Sequence, residues 1–344
     1  MTADIESMFY QVRVRKEDCD MLRYLWWPNG NLDSEPADYR MLVHLFGAVS
    51  SPSCANFALR KIAEECSDRS PEVAEAIQSN FYVDDMLRSF PTEDEAIKTS
   101  LDIKEALQCG GFRLTKWISN SRKLIEAIPL QDRSKEVKSL DIDYDELPVE
   151  RALGVTWDVE MSQLGFSIKD VNRSPTRRNI LAIIASVYDP LGMVAPYVLK
   201  AKTILQTLCE RKVEWDEEIP QDQKKEWNMW LQDLQKLKKV KVNRCFKSSS
   251  VLQPDQVELH HFADASERGY GTVSYLRYSS GTSIHCAFVL AKARVAPLKT
   301  VSIPRLELTA ATVMVKVNSM LQKELQMKVD RTYFWTETDG STLH

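Results

Sequence analysis

The sequence predicts an α+β protein: an antiparallel sheet with helices, followed by a helical region and then a second, smaller α/β unit. Three observations carry this. The first 170 residues mix hairpin-like strands with helices, the pattern turns helical from Pro175, and beyond Pro254 three strands, a helix and a strand follow in order. A chain of 344 residues that is 44% hydrophobic can fill two or three packed domains. The divisions expected are 1–170, 171–250 and 255–344.

"IESMFYQVRV", residues 5–14, is rich in aromatic and β-branched side chains and reads as a strand led by Asp4. "LRYLWWPNGNLDSEPADYRMLVHLF" reads as strand, turn at Pro28-Asn29-Gly30, and strand. In "PSCANFALRKIAEEC", Ala55, Ala58, Leu59 and Ile62 have helical spacing. "TEDEAIKTSLDIKEALQCGG" carries an N-cap at Thr92, acids in its first turn and a stop at Gly110-Gly111. "GFRLTKWISNS" and "RALGVTWDVEMSQLGFSI" then alternate as strands. From Pro175 to about Leu237 the spacing is helical, interrupted by Pro190 and Pro196, and Lys236, Lys238, Lys239 and Lys241 form the densest basic run. "SSSVLQPD", 248–255, reads as a linker. "VELHHFADAS", "GYGTVSYLRY" and "TSIHCAFVLA" read as strands, a helix is expected from Pro304, and "RTYFWTE" as a last strand.

The net charge of −4 gives no general affinity for polyanions, so any nucleic-acid surface must gather its Lys and Arg locally. Seven cysteines without a C-x-x-C pair fit reduced, buried thiols in an intracellular, cytoplasmic protein. No apolar run has membrane-spanning length and no targeting signal is legible.

"NFYVDDMLRSF", 80–90, sets Asp84 and Asp85 side by side in an apolar and aromatic run. One reading is a tight hairpin turn, where Asp is common. The other is a metal site. Asp4 is a further acid beside a β-rich run, and three carboxylates meeting at a sheet edge repel unless a divalent cation neutralises them. Mg²⁺ takes oxygen ligands, and two such ions can clamp the attacking and leaving oxygens of a phosphoryl transfer.

"DIESMFYQV", "HLFGAVSSPSCANFALR", "FYVDDML", "GGFRLTKWISNS" and "LGVTWD" occur in the order of reverse transcriptase palm motifs, and their wording resembles the BEL/Pao family of retrotransposon polyproteins. The resemblance runs over nearly the whole chain. It implies a palm, a helical thumb and connection, and the start of a ribonuclease H-like domain. The function implied is RNA-directed DNA polymerisation on an RNA or DNA template-primer from deoxynucleoside triphosphates, with two Mg²⁺ ions (or Mn²⁺) held by Asp4, Asp84 and Asp85. It further implies Phe9 as the aromatic gate against a ribose 2′-hydroxyl, Phe46 and Gly47 as lining of the nucleotide pocket, and Lys116 as a lysine near the phosphates. An aspartic peptidase is excluded, since neither Asp-Thr-Gly nor Asp-Ser-Gly occurs.

In the last part, "HFADASERGYG" puts Asp264 on a strand and "SIPRLELTAA" puts Glu307 in the first turn of a helix. Together they resemble ribonuclease H, where such a pair holds Mg²⁺. The family wording at the third acid is Trp-Thr-Asp-Ser, whereas this chain reads "WTETDGSTLH", so either Glu337 or Asp339 takes that role. The expectation is a polymerase core without most of its fingers and with an incomplete ribonuclease H set. The other expectation kept open is an inactive remnant that holds the fold and at most binds nucleic acid.

Overall fold

The computed structural model describes residues 1–142, 144–152, 154–169, 173–247 and 253–336. The chain forms two compact units, Met1–Leu153 with Val159–Met161, and Gly154–Asp158 with Ser162–His344.

The first unit contains β1 (Thr2–Ile5), α1 (Met8–Gln11), β2 (Arg23–Trp26), β3 (Ala37–Arg40), α2 (Ser51–Cys66), α3 (Pro71–Ser79), β4 (Phe81–Tyr82), β5 (Asp85–Leu87), α4 (Glu93–Cys109), β6 (Leu114–Ile118), α5 (Arg122–Ala127), α6 (Lys135–Lys138) and β7 (Val149–Ala152). Strands β4, β5, β1 and β6 form one antiparallel sheet in that order, while β2 and β3 form a separate hairpin. Period-two alternation turns Ala3, Ile5 and Met86 into a core shared with Leu59, Ile77, Ile103, Leu107, Leu114 and Trp117. Thr92 caps α4 as expected, its hydroxyl accepting from the Glu95 N–H at 3.3 Å.

The strand expected over 5–14 is cut short. β1 stops at Ile5, Ser7 takes φ 50°, and Met8 and Phe9 are both buried at the start of α1. A strand would send one of two consecutive residues to the far face, whereas a helical turn buries both. The helix α3 lies in a stretch that the spacing assigns to no element.

The second unit contains β8 (Val155–Asp158), β9 (Gln163–Gly165), α7 (Arg177–Ser186), α8 (Ala195–Glu210), α9 (Gln221–Leu234), β10 (Lys241–Asn243), β11 (Gln256–Ala265), β12 (Gly269–Ser280), β13 (Ser283–Val295), α10 (Ile303–Glu324) and β14 (Arg331–Thr336). Helices α7, α8 and α9 share a core in which Tyr197, Trp230 and Trp227 stack at successive centroid distances of 4.9 Å. Strands β13, β12, β11 and β14 make a second sheet, antiparallel except for β14, which runs parallel to β11 after the crossover helix α10. The linker read at 248–255 falls mostly outside the described residues. No helix among the described residues is long and apolar enough to cross a membrane.

Candidate active site

The Asp84-Asp85 pair sits on a two-residue hairpin. Tyr82 pairs with Asp85, so Val83 and Asp84 form the turn, and Val83 takes φ 58°. A β-branched side chain is strained there, and such strain persists where surrounding structure enforces it. The turn reading of the motif is therefore correct as geometry, and it leaves the metal reading standing.

The neighbouring strand supplies the reason. Asp4 lies directly opposite Asp85. The Ile5 N–H donates to the Asp84 carbonyl at 2.9 Å, and the Arg88 N–H to the Met1 carbonyl at 3.1 Å. Those bonds mark the hydrogen-bonded register positions, so the Asp4–Asp85 pair between them is of the non-hydrogen-bonded kind, in which side chains lie closest. Like charges directly opposite are destabilising. Burial foremost, and then neighbouring carboxylate charge, holds both above the ordinary carboxylate range: Asp84 and Glu6 act on Asp4, and Asp84 and Asp4 on Asp85.

Lys116 opposes this. Its Nζ donates to Asp4 Oδ2 at 3.0 Å, and it lowers both carboxylates against the larger upward push. Strand β6 reaches this position through an irregularity, because Thr115 lies opposite Asp4 while Ile118 lies opposite Thr2. The oxygen donors of Asp4, Asp84 and Asp85 suit a hard divalent cation in chemical type and in their mutual repulsion. No group of three or more His, Cys, Asp or Glu among the described residues is gathered closely enough to hold a metal, and the Lys116 ammonium is paired with Asp4.

Phe9 and Phe46 meet edge to face at 4.9 Å, and Phe46 also meets Tyr10 at 5.5 Å. Phe9 is buried and Phe46 is 60% exposed, so of this aromatic pair it is Phe46 that faces solvent. Gly47 takes φ 88° with open space where a side chain would go.

Sequence reasoning missed the wall beside the carboxylates. Asp4, Asp85 and Lys116 line a cleft of about 610 Å³ together with Arg113, Arg133, Lys135, Lys138 and Arg151. Arg133 donates to the Ile128 and Glu126 carbonyls and Lys138 to the Gln131 carbonyl. Backbone oxygens orient Arg133 and Lys138 without neutralising them, whereas Arg113 is paired with Glu6 and Asp132, and Asp4, Glu6, Asp85, Glu136 and Glu150 moderate the positive charge of the same lining. These cations come from separate elements and form no run, so spacing could not reveal them. The lysine run that spacing did reveal is partly paired, Lys236 with Asp233 at 2.6 Å and Lys241 with Asp158 at 3.7 Å.

In the second unit Asp264 is exposed near the end of β11, its Oδ1 accepting from the Ala265 N–H at 2.6 Å. Helix α10 begins at Ile303 after Ser302, so Glu307 is its fifth residue and lies past the first turn, contrary to expectation. Ala263, beside Asp264, packs with Ala310, one turn beyond Glu307, so the strand end and the helix start meet. Glu337 and Asp339 lie outside the described residues.

Residues 176–338 match the family model described as "Pao retrotransposon-like RNaseH-like domain". Among solved structures the chain is similar to the foamy viral protease-reverse transcriptase in complex with double-stranded DNA, with a TM-score of 0.55 at 13% identity. That match covers 96% of this chain and 49% of the viral one, so the chain spans about half the length of that relative. No curated protein matches.

Proposed function

We propose that this chain, whose residues 176–338 match the Pao retrotransposon-like RNaseH-like family model, is part of a Pao-family retrotransposon polyprotein and that its first unit is the palm of an RNA-directed DNA polymerase. The observation that supports this most is the closest-register opposition of Asp4 and Asp85, with Asp84 at the adjoining turn. Asp4, Asp84 and Asp85 would hold two Mg²⁺ ions, for which Mn²⁺ could substitute, once their carboxylates draw together around the ions. When bound, such ions neutralise charge on the reacting phosphate and its attacking and leaving oxygens. The protein's part is positioning, much of what phosphoryl transfer requires. Arg113, Arg133, Lys135, Lys138 and Arg151 take the phosphates of an RNA or DNA template-primer as backbone contacts. Phe9, braced by Phe46, crowds the sugar of the incoming deoxynucleoside triphosphate, Gly47 leaves room in the pocket, and Lys116 approaches its phosphates. In the second unit the likeness to ribonuclease H would make Asp264, on β11, and Glu307, in α10, metal ligands, with the third acid of that set, Glu337 or Asp339, outside the described residues.

Primer extension with Mg²⁺ tests this. Incorporation by the full chain should fall at least about a hundredfold in Asp85→Asn, since metal ligands matter at least as much as their outer-shell partners. A folded wild-type chain that extends no primer overturns the polymerase reading. The engagement of Asp4 by Lys116 favours a second reading, a remnant that binds nucleic acid without chemistry. Salt-dependent binding of a template-primer without extension is its signature.

A further inference from the structure

Lys116 stands where the backbone must distort to place it. Between the register points Asp4–Thr115 and Thr2–Ile118, two residues of β6, Lys116 and Trp117, oppose one residue of β1, Ala3. Lys116, the first of the two, takes φ 54°. A bulge of this form ordinarily carries Gly at that place, because a side chain crowds the following carbonyl in the left-handed region. Bulges next to reactive sites re-aim a side chain. Here the side chain, 67% exposed, is laid on Asp4 Oδ2 at 3.0 Å, beside the closest carboxylate opposition in the sheet.

We propose that Lys116 is a built-in counter-cation: the bulge holds its ammonium against Asp4 in the metal-free protein, and a divalent cation displaces it to reach that oxygen. This rests on the reading of Asp4 and Asp85 as metal ligands. Mg²⁺ binds oxygen at about 2.0–2.1 Å and demands near-octahedral surroundings, which an ammonium hydrogen-bonded to the same oxygen obstructs. Lysine and metal therefore compete at Asp4, through like charge and most directly at the Oδ2 that the ammonium holds. The positioning role follows: Lys116 keeps the carboxylates gathered and lowers the apparent affinity of the first ion by the strength of its own pairing.

The test uses the full chain at constant neutral pH and low ionic strength, with Mn²⁺ as the probe and free Mn²⁺ followed by electron paramagnetic resonance. Lys116→Met should bind Mn²⁺ up to about fivefold more tightly, the range of an exposed ion pair. Lys116→Arg, which keeps the cation, should bind no more tightly than wild type. Lys116→Gly, which suits the bulge and so guards against a folding failure, should tighten binding as Met does. Asp85→Asn should weaken binding, tying the signal to this site. In thermal melts Lys116→Met should melt below wild type in EDTA and lose that deficit in saturating Mg²⁺. Wild-type Mn²⁺ affinity in both the Met and Gly variants overturns the proposal while leaving the metal site intact. Absence of Mn²⁺ binding in every variant and in wild type overturns the metal reading and this proposal with it.

Discussion

Asp85 shows how one side chain can weaken a fold that it equips for chemistry. Its carboxyl, like that of Asp4, is held above the ordinary value of 3.8 by burial and then by neighbouring carboxylates. For an acid raised on folding, the penalty is absent below the unfolded value and grows as pH rises through the folded one. Asp85→Asn should therefore raise the melting temperature of the metal-free protein at neutral pH. The gain should stay within about 0.5 kcal/mol because the carboxyl is only partly desolvated and Asp85 as a residue is open to solvent, which screens its charge. At Phe9, trimming the ring to Val should lower discrimination against ribonucleoside triphosphates about 10- to 100-fold, the worth of a small change in an apolar pocket. The ratio of incorporation rates for paired ribo- and deoxynucleotides checks this. The acids were legible because charges in apolar runs stand out. Lys116 was legible as a residue but its aim was not, since a bulge is set by pairing register between β1 and β6, which lie far apart in the chain.

Among the elements, the packing of β6 and α4 depends on a buried acid that no motif announces. Asp132 is 2% exposed and bonded to Lys104 at 2.8 Å and Arg113 at 2.7 Å. Burial pushes its carboxyl up, but hydrogen bonds and charge from Lys104 and Arg113 outweigh that and bring it below 3.8. A depressed acid contributes stability that is present above the unfolded value and lost as pH falls through the folded one. Asp132→Asn should cost about 1–3 kcal/mol at neutral pH, because Lys104 loses its carboxylate while the half-exposed Arg113 keeps Glu6. Urea melts against pH should show the wild type losing stability below about pH 4 and the variant losing less. Helix α4 was legible from its cap and its glycine stop, both local signals. Helix α1 was not: its four residues are too few to set a period, and aromatic composition favoured a strand.

At the scale of the molecule, the net charge of −4 conceals a local gathering of six cations, set against five acids, in the cleft of the first unit. Binding of a double-stranded template-primer should weaken steeply with salt, with a log–log slope of about −3 to −5 for that many phosphate contacts. A flat dependence measured by fluorescence anisotropy would remove the cleft from the interface. The turn to helical spacing after Pro175 was legible because it covers many residues, whereas the division into two compact units depends on contacts between distant segments. The chain passes between its units at 153/154, 158/159 and 161/162. A proteolytic nick inside that window leaves each piece without a short stretch that clusters with its own unit.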